Sequence, residues 1–214
     1  MTWVLDARVR SAMISDALDS IGVRHQVMVR EIKPLRPSMR CVGIATTIAF
    51  EPDENFDQND PYGDAIDFLD GLKPGSVAVV STSGESRSAF WGELFSAAAT
   101  GRGATGVICD GPLRDTEQVV DIGFAAFGVG SRPIDYKGRM RVVATHTPVV
   151  CGGVSVHPGD GVIADHDGVV VVPAAHLAQI TAIAEERAKS ERTVLKDLLA
   201  GSSVRQVWDA YRIL

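Results

Sequence analysis

VAVVS (77–81), ELFSAAATG (93–101), TGVICD (105–110), TEQVVDIG (116–123) and FAAFGV (124–129) follow one another in the middle of the chain. The first, third and fifth are short apolar runs of the kind that make strands buried on both faces. The second and fourth are rich in helix formers, and each closes at a glycine, Gly101 and Gly123. Strand, helix, strand, helix and strand with short connections imply parallel strands joined by crossover helices.

Working outward, Leu5, Val9, Met13, Ala17 and Ile21 recur at a spacing of four and predict a helix over 5–21. CVGIATTIAF (41–50) is β-branched-rich and reads as a strand. The acidic stretch 51–71 reads as loop followed by a short helix. From 139 to 173 valines fall on short runs separated by proline and glycine turns, the mark of an antiparallel β region. A long helix over 174–200 and a shorter one over 204–212 close the chain. No linker, repeat or low-complexity tract interrupts it. Residues 1–214 therefore read as a single α/β domain with a parallel βαβαβ core, an antiparallel β region and C-terminal helices.

The composition excludes several classes of function. The chain has 214 residues, 45% of them hydrophobic, enough to bury a core and too many for a disordered chain. Lys+Arg 21 against Asp+Glu 27 gives a net charge of −6, so no broad cationic field is available for nucleic acid or anionic membrane. No apolar run approaches the length of a membrane span, and MTWVLDARVRSAM at the N-terminus lacks the apolar core of a signal peptide. Cys41, Cys109 and Cys151 lie far apart in apolar stretches, and they read as reduced core thiols of a cytoplasmic protein.

Several motifs read as structure rather than chemistry. GRGATG (101–106) has the letters of a dinucleotide fingerprint, but a helix precedes it and a strand follows, the reverse of what that site needs. Asp165-His166-Asp167-Gly168 lies between two valine runs and reads as a hairpin turn. The five histidines show no paired ligand spacing. Ser81, Ser83, Ser86 and Ser88 lack the elbow sequence of a serine nucleophile.

The informative constellation is topological. In a parallel sheet the loops after 77–81 and 105–110 leave at the same carboxyl edge, where open α/β sheets bind ligands. Each loop runs into a helix, starting near Gly92-Glu93 and near Asp115. Two helix N-termini there aim free N–H groups and positive dipole ends at one space, which favours an anion such as a carboxylate. Glu93, Arg114 and Asp115 converge on that space. Carboxylates are hard ligands for Mg²⁺ or Mn²⁺, and Arg forks onto carboxylate or enolate oxygen. The same residues also read as helix caps. Asp115 with Gln118 is a capping-box pattern, and Glu93 in a first turn complements the dipole.

WGELFSAAATGRGATGVICDGPLRDTEQVVDIGFAAFGVG (91–130) resembles the RraA-like family. That family contains 4-hydroxy-4-methyl-2-oxoglutarate aldolases, regulators of ribonuclease E activity, and proteins labelled demethylmenaquinone methyltransferase. The resemblance extends from Ser15-Asp16-Ala17-Leu18 through Gly43-Ile44-Ala45, Lys73-Pro74-Gly75, Cys151-Gly152-Gly153 and Pro158-Gly159-Asp160 to the run at 164–173. It implies a swivelling β/β/α-type domain assembled as homotrimers or homohexamers, with active sites at subunit interfaces. Catalytic members resemble divalent-metal aldolases and oxaloacetate decarboxylases. Their signature is an acidic residue, twenty intervening residues and Arg-Asp, which Glu93, Arg114 and Asp115 reproduce.

By that pattern Asp115 holds the Mg²⁺ or Mn²⁺, Arg114 faces the keto or enolate oxygen, and the backbone amides of Gly92, Glu93, Leu94 and Phe95 hold the substrate carboxylate. Glu191, in Ser190-Glu191-Arg192, is the candidate for a family glutamate that reaches a neighbouring subunit's site. Lys137, within SRPIDYKGRMR (131–141), is the candidate for distal-carboxylate recognition, and 51–64 and 131–141 are expected to line the distal pocket. The expected activity is a metal-dependent carbon–carbon lyase on a small α-keto acid. It would cleave a 4-hydroxy-4-methyl-2-oxoglutarate-type substrate to pyruvate and decarboxylate oxaloacetate through the same enolate. A metal-polarised water near Glu191 is the expected base. The rival reading is a ribonuclease E-regulating binding protein. The methyltransferase label finds no glycine-rich strand–loop–helix to support it.

Overall fold

The computed structural model describes residues 2–29, 31–53, 57 and 59–214. Among them, the elements in chain order are α1 (Ser11–Ser20), β1 (Lys33–Pro34), β2 (Cys41–Pro52), α2 (Asp64–Asp70), β3 (Ser76–Ser81), α3 (Glu93–Gly101), β4 (Gly106–Cys109), α4 (Thr116–Ile122) and β5 (Ala125–Gly128). There follow β6 (Met140–Thr145), β7 (Val149–Cys151), β8 (Val154–Val156), β9 (Gly161–Ala164), β10 (Val169–Val172), α5 (Leu177–Leu199) and α6 (Val204–Tyr211). The expected βαβαβ block is present: β2, β3, β4 and β5 lie side by side and parallel. The whole sheet runs β1-β5-β4-β3-β2-β9-β10.

The strand β2 joins the parallel and antiparallel halves. One edge pairs with β3 from Ile44 to Ala49. The other edge pairs antiparallel with β9 over Cys41–Ile44 and with β6 over Ile48–Pro52, with a register shift between Ala49 and Phe50. The shift leaves Val143 of β6 without a partner on β2, a bulge that bends β6 and increases its twist, and β2 changes partner earlier, between Ile44 and Ile48. The pair β7–β8 forms a separate two-stranded ribbon.

Alternation along β3 sends its residues to two cores. Ala78 and Val80 face one apolar cluster with Phe68 of α2, Ala99 of α3 and Val119 of α4. Val77 and Val79 face a second, built with Val149, Cys151, Val154 and Val156 of the β7–β8 ribbon. Both faces of β3 are thus covered, which is why its sequence is apolar throughout. A third cluster joins α1 and α5 to Ile163, Val170 and Val172.

The structure corrects the first helix. It starts at Ser11, not at residue 5, because Arg10 is extended (φ −115°, ψ 164°) and the cap comes from elsewhere. The Asp165 carboxylate accepts the Ser11 amide at 2.8 Å and the Ser11 hydroxyl at 2.6 Å. Leu5 and Val9 are nonetheless buried, as parts of an extended lead-in. The helix expected from 174 opens with a 3₁₀ turn over Ala174–His176 before α5. The edge strand β1 has no counterpart in the sequence reading. Asp165–Gly168 makes the expected hairpin turn, with the Asp165 amide donating to the Gly168 carbonyl at 3.1 Å. GRGATG lies at the end of α3 and the entry to β4. Of the acidic stretch, 54–56 and 58 lie outside the described residues. Among the described residues no helix is long and apolar enough to cross a membrane.

Candidate active site

The loops leaving β3, β4 and β5 emerge at the same edge and are bonded to one another. The Phe90 amide donates to the Pro112 carbonyl at 3.1 Å, and the Arg114 amide to Trp91 at 2.9 Å. Leu113 donates to Gly130 at 3.1 Å, Arg132 to Leu113 at 2.8 Å, and Ala89 to Ile134 at 2.7 Å. Isolated parallel bridges Ala89–Asp135, Trp91–Leu113 and Leu113–Ser131 continue the ladder past the strand ends. Buried Phe90, Trp91 and Tyr136 anchor these loops in the core. Side chains carried here have the rigid support that a site needs.

The head of α3 is open. Its N-cap Gly92 is extended (φ −153°) and has no side chain to cap the helix, and the side-chain acceptor near it is Asp115 Oδ2, 3.5 Å from the Glu93 amide. Behind it, the Trp91 indole donates to the Ser96 hydroxyl and that hydroxyl to the Gly92 carbonyl, both at 2.9 Å. The glycine is required by space, not by φ. A Cβ at Gly92 would lie 2.7 Å from Asp115 Oδ2 and 2.8 Å from Arg114 Cγ. Arg114 and Asp115 therefore occupy the volume that any larger residue at 92 would fill.

Asp115 stands at the N-cap position of α4 yet makes no cap hydrogen bond. Its backbone is left-handed (φ 51°, ψ 40°), whereas a capping side chain needs an extended N-cap. The capping-box reading of Asp115 and Gln118 is corrected on that ground. The carboxylate turns instead to the neighbouring helix: Oδ2 lies 3.5 Å from the Glu93 amide and 3.3 Å from Arg114 Nε. Arg114 Nη1 lies 3.0 Å from Asp135 Oδ2, which also accepts the Tyr62 hydroxyl at 3.1 Å.

Together these groups enclose a cavity of about 370 Å³, with Glu93, Arg114, Asp115 and Asp135 as its charged residues and Tyr62, Trp91, Phe95 and Tyr136 among its aromatic walls. Burial raises the pKa of both tyrosine hydroxyls, Tyr62 and Tyr136, with the Asp135 charge adding to it, so both stay neutral donors near neutrality. Among the described residues the buried Tyr136 hydroxyl has no hydrogen-bond partner.

Gly92, Glu93, Leu94, Phe95, Arg114 and Asp115, all expected from the sequence, line this one cavity. Lys137 stands at its margin, its ammonium 5.9 Å from the Tyr62 ring centroid. Glu191 does not line it. Within the chain Glu191 accepts Arg187 Nε at 2.6 Å, and Arg187 also meets Asp16 at 2.8 Å. Tyr62, Asp135 and Tyr136 line the cavity from within 51–64 and 131–141, the segments expected to border the pocket, although none of the three is singled out by the sequence. The signal for the last two was their place after β5, on the same carboxyl edge.

The donor set limits which cation fits. Among the described residues no group of three or more His, Cys, Asp or Glu side chains could hold a metal. That disfavours a closed zinc site, which needs several protein ligands. It suits Mg²⁺ or Mn²⁺, which bind one or two carboxylates and take the remaining oxygens from water and substrate. Asp115, in the space left by Gly92, is a carboxylate that could hold such a cation.

A Legionella pneumophila protein, DlpA, is 28% identical over 201 residues, covering 94% of this chain and 32% of that protein. The chain thus spans about a third of DlpA's length. A Halalkalibacterium halodurans protein provisionally named 4-hydroxy-4-methyl-2-oxoglutarate aldolase is 28% identical, over 77% of this chain and 73% of its own. The crystal structure of an uncharacterized Pseudomonas syringae protein superposes with a TM-score of 0.82 at 30% identity, over 93% of this chain and 92% of that one. Streptomyces coelicolor RraAS2, titled an unusual member of the RNase ES inhibitor RraA protein family, gives 0.76 at 28% identity, over 87% and 91%. The profile of the RraA-like family, described as Aldolase/RraA, matches residues 11–171, and the chain belongs to that family.

Proposed function

We propose that the protein is a Mg²⁺- or Mn²⁺-dependent carbon–carbon lyase acting on α-keto acids. Its reactions would be retro-aldol cleavage of a 4-hydroxy-4-methyl-2-oxoglutarate-type substrate to pyruvate, and decarboxylation of oxaloacetate. The observation that carries this reading is the convergence of Arg114, Asp115 and the open head of α3 on one cavity. The aldolase names of relatives such as the Halalkalibacterium protein support it.

The backbone N–H groups at the head of α3 would receive the substrate carboxylate. Arg114 would then face the keto oxygen and stabilise the negative charge that develops there as the carbon–carbon bond breaks. In the retro-aldol direction the C4 hydroxyl loses its proton, the C3–C4 bond breaks, and C3 is reprotonated to give pyruvate. Glu93, which lines the cavity, and Glu191, brought by a neighbouring copy in the assembly this reading includes, would be the carboxylates that move those protons. Asp115 would hold the divalent cation, which supplies Lewis acidity at the keto and carboxylate oxygens. The reading includes assembly as a trimer or hexamer with sites shared between copies.

A coupled pyruvate-release assay over a panel of 4-hydroxy-2-keto acids and oxaloacetate tests it, with release from at least one substrate as the expected result. The likeness to RraAS2 favours a second reading, a ribonuclease-regulating binding protein. An RNA-cleavage assay with ribonuclease E separates the two: inhibition by a protein that releases no pyruvate from any substrate would favour the second.

A further inference from the structure

We propose that Asp135 is the positioning residue for Arg114, fixing its guanidinium where it meets the keto oxygen; this rests on the lyase reading above. The guanidinium is gripped from two sides, with Nε 3.3 Å from Asp115 Oδ2 and Nη1 3.0 Å from Asp135 Oδ2. These contacts engage Nε and Nη1, and Arg114 lines the cavity that would receive the ligand. A long arginine side chain otherwise loses rotamer freedom when substrate binds, and holding it beforehand removes that loss from the binding step.

The two grips are not equivalent. Asp115 is the carboxylate that the lyase reading assigns to the cation, and an oxygen shared with a cation holds Nε less tightly. Asp135 carries no second duty and is itself fixed by groups other than Arg114. Its Oδ1 accepts the Lys137 amide at 3.2 Å, and the Tyr62 hydroxyl donates to Oδ2. Its backbone pairs with Ala89 across the bridge that joins the β3 and β5 loops. The Arg114 and Asp135 side chains are 33% and 25% exposed, and an ion pair so open to solvent adds little to folding stability. Its value lies in orientation.

The test is Asp135→Asn, which keeps the shape and one acceptor oxygen but removes the charge. Turnover of a 4-hydroxy-2-keto acid and binding of pyruvate in Mg²⁺ buffer are measured, alone and in an Arg114→Ala background. We expect kcat/KM to fall on the order of tenfold to a hundredfold, pyruvate binding to weaken, and the melting temperature to stay within a few degrees. Asp135→Glu should recover part of the loss. In the Arg114→Ala background Asp135→Asn should change pyruvate binding no further, because residues acting through one another are not additive. An undiminished loss in that background, or unchanged kcat/KM and binding in the single variant, overturns the role of Asp135 alone. A wild-type protein that neither binds pyruvate nor releases it from any substrate overturns the lyase reading, and the role of Asp135 with it.

Discussion

The Asp115 carboxylate lies 3.5 Å from the Glu93 amide at the head of α3 while making no hydrogen bond to its own helix, α4. The residue that ends one strand loop thus serves the helix that follows another. Stability and activity should separate at this position. Asn tolerates the left-handed backbone that Asp115 adopts, and no cap hydrogen bond is lost. Asp115→Asn should melt within about 2 °C of wild type, while pyruvate release falls on the order of a thousandfold if the cation supplies several kcal/mol. Equal losses in both would return Asp115 to a structural role.

Gly92→Ala tests the space that Arg114 and Asp115 share. The φ of −153° is ordinary extended backbone, so alanine adds no backbone strain. Its Cβ would instead displace Asp115 Oδ2 and Arg114 Cγ, both side-chain atoms able to move. The expected outcome is a kcat/KM loss of about a hundredfold or more, as for catalytic groups misplaced by about 1 Å, with a small change in melting temperature.

Asp165→Ala should do the reverse. It strips the cap from α1 and leaves the Ser11 amide and hydroxyl buried without their acceptor. The cost is about 1–3 kcal/mol, read as a lowered denaturation midpoint. Pyruvate release per folded molecule should be unchanged, because Asp165 does not line the active-site cavity.

The three cysteines are the first groups to lower stability on the alkaline side, with Tyr62 and Tyr136, also raised by burial, following at higher pH. Burial pushes the Cys41 thiol up to about 12, and raises Cys109 and Cys151 as well. In the unfolded chain a thiol ionises near 9. Above that pH the unfolded state sheds protons that the folded state keeps, so stability is held below about pH 9 and falls above it. Melting temperature should be flat from pH 7 to about 8.5 and lower at about pH 10.5. A thiol reagent should label none of the three in the native protein at pH 8; rapid labelling of Cys109 would contradict its burial in β4.

The parallel block was legible because each strand is a short apolar run buried on both faces and each helix between ends at glycine. Its carboxyl edge, and with it Gly92, Glu93, Arg114 and Asp115, followed from topology, whereas Leu94 and Phe95 came only with the resemblance to the RraA-like family. What stayed hidden depends on partners distant in sequence. The start of α1 is set by Asp165, 154 residues away, so the apolar spacing from Leu5 overran it. The capping motif at Asp115 was present in letters, but its left-handed backbone, which no local motif encodes, turns the carboxylate to α3. Tyr62 reaches Asp135 across 73 residues, a pairing that no local pattern announces.

Cation dependence through Asp115 is tested most directly by pyruvate release from oxaloacetate and 4-hydroxy-4-methyl-2-oxoglutarate after chelator treatment, titrated back with Mg²⁺ or Mn²⁺, for wild type and Asp115→Asn. The lyase reading expects release to fall to the buffer background on chelation, and either cation to restore it in wild type but not in the variant. Chelator-insensitive turnover, or near-normal turnover by Asp115→Asn, would contradict it.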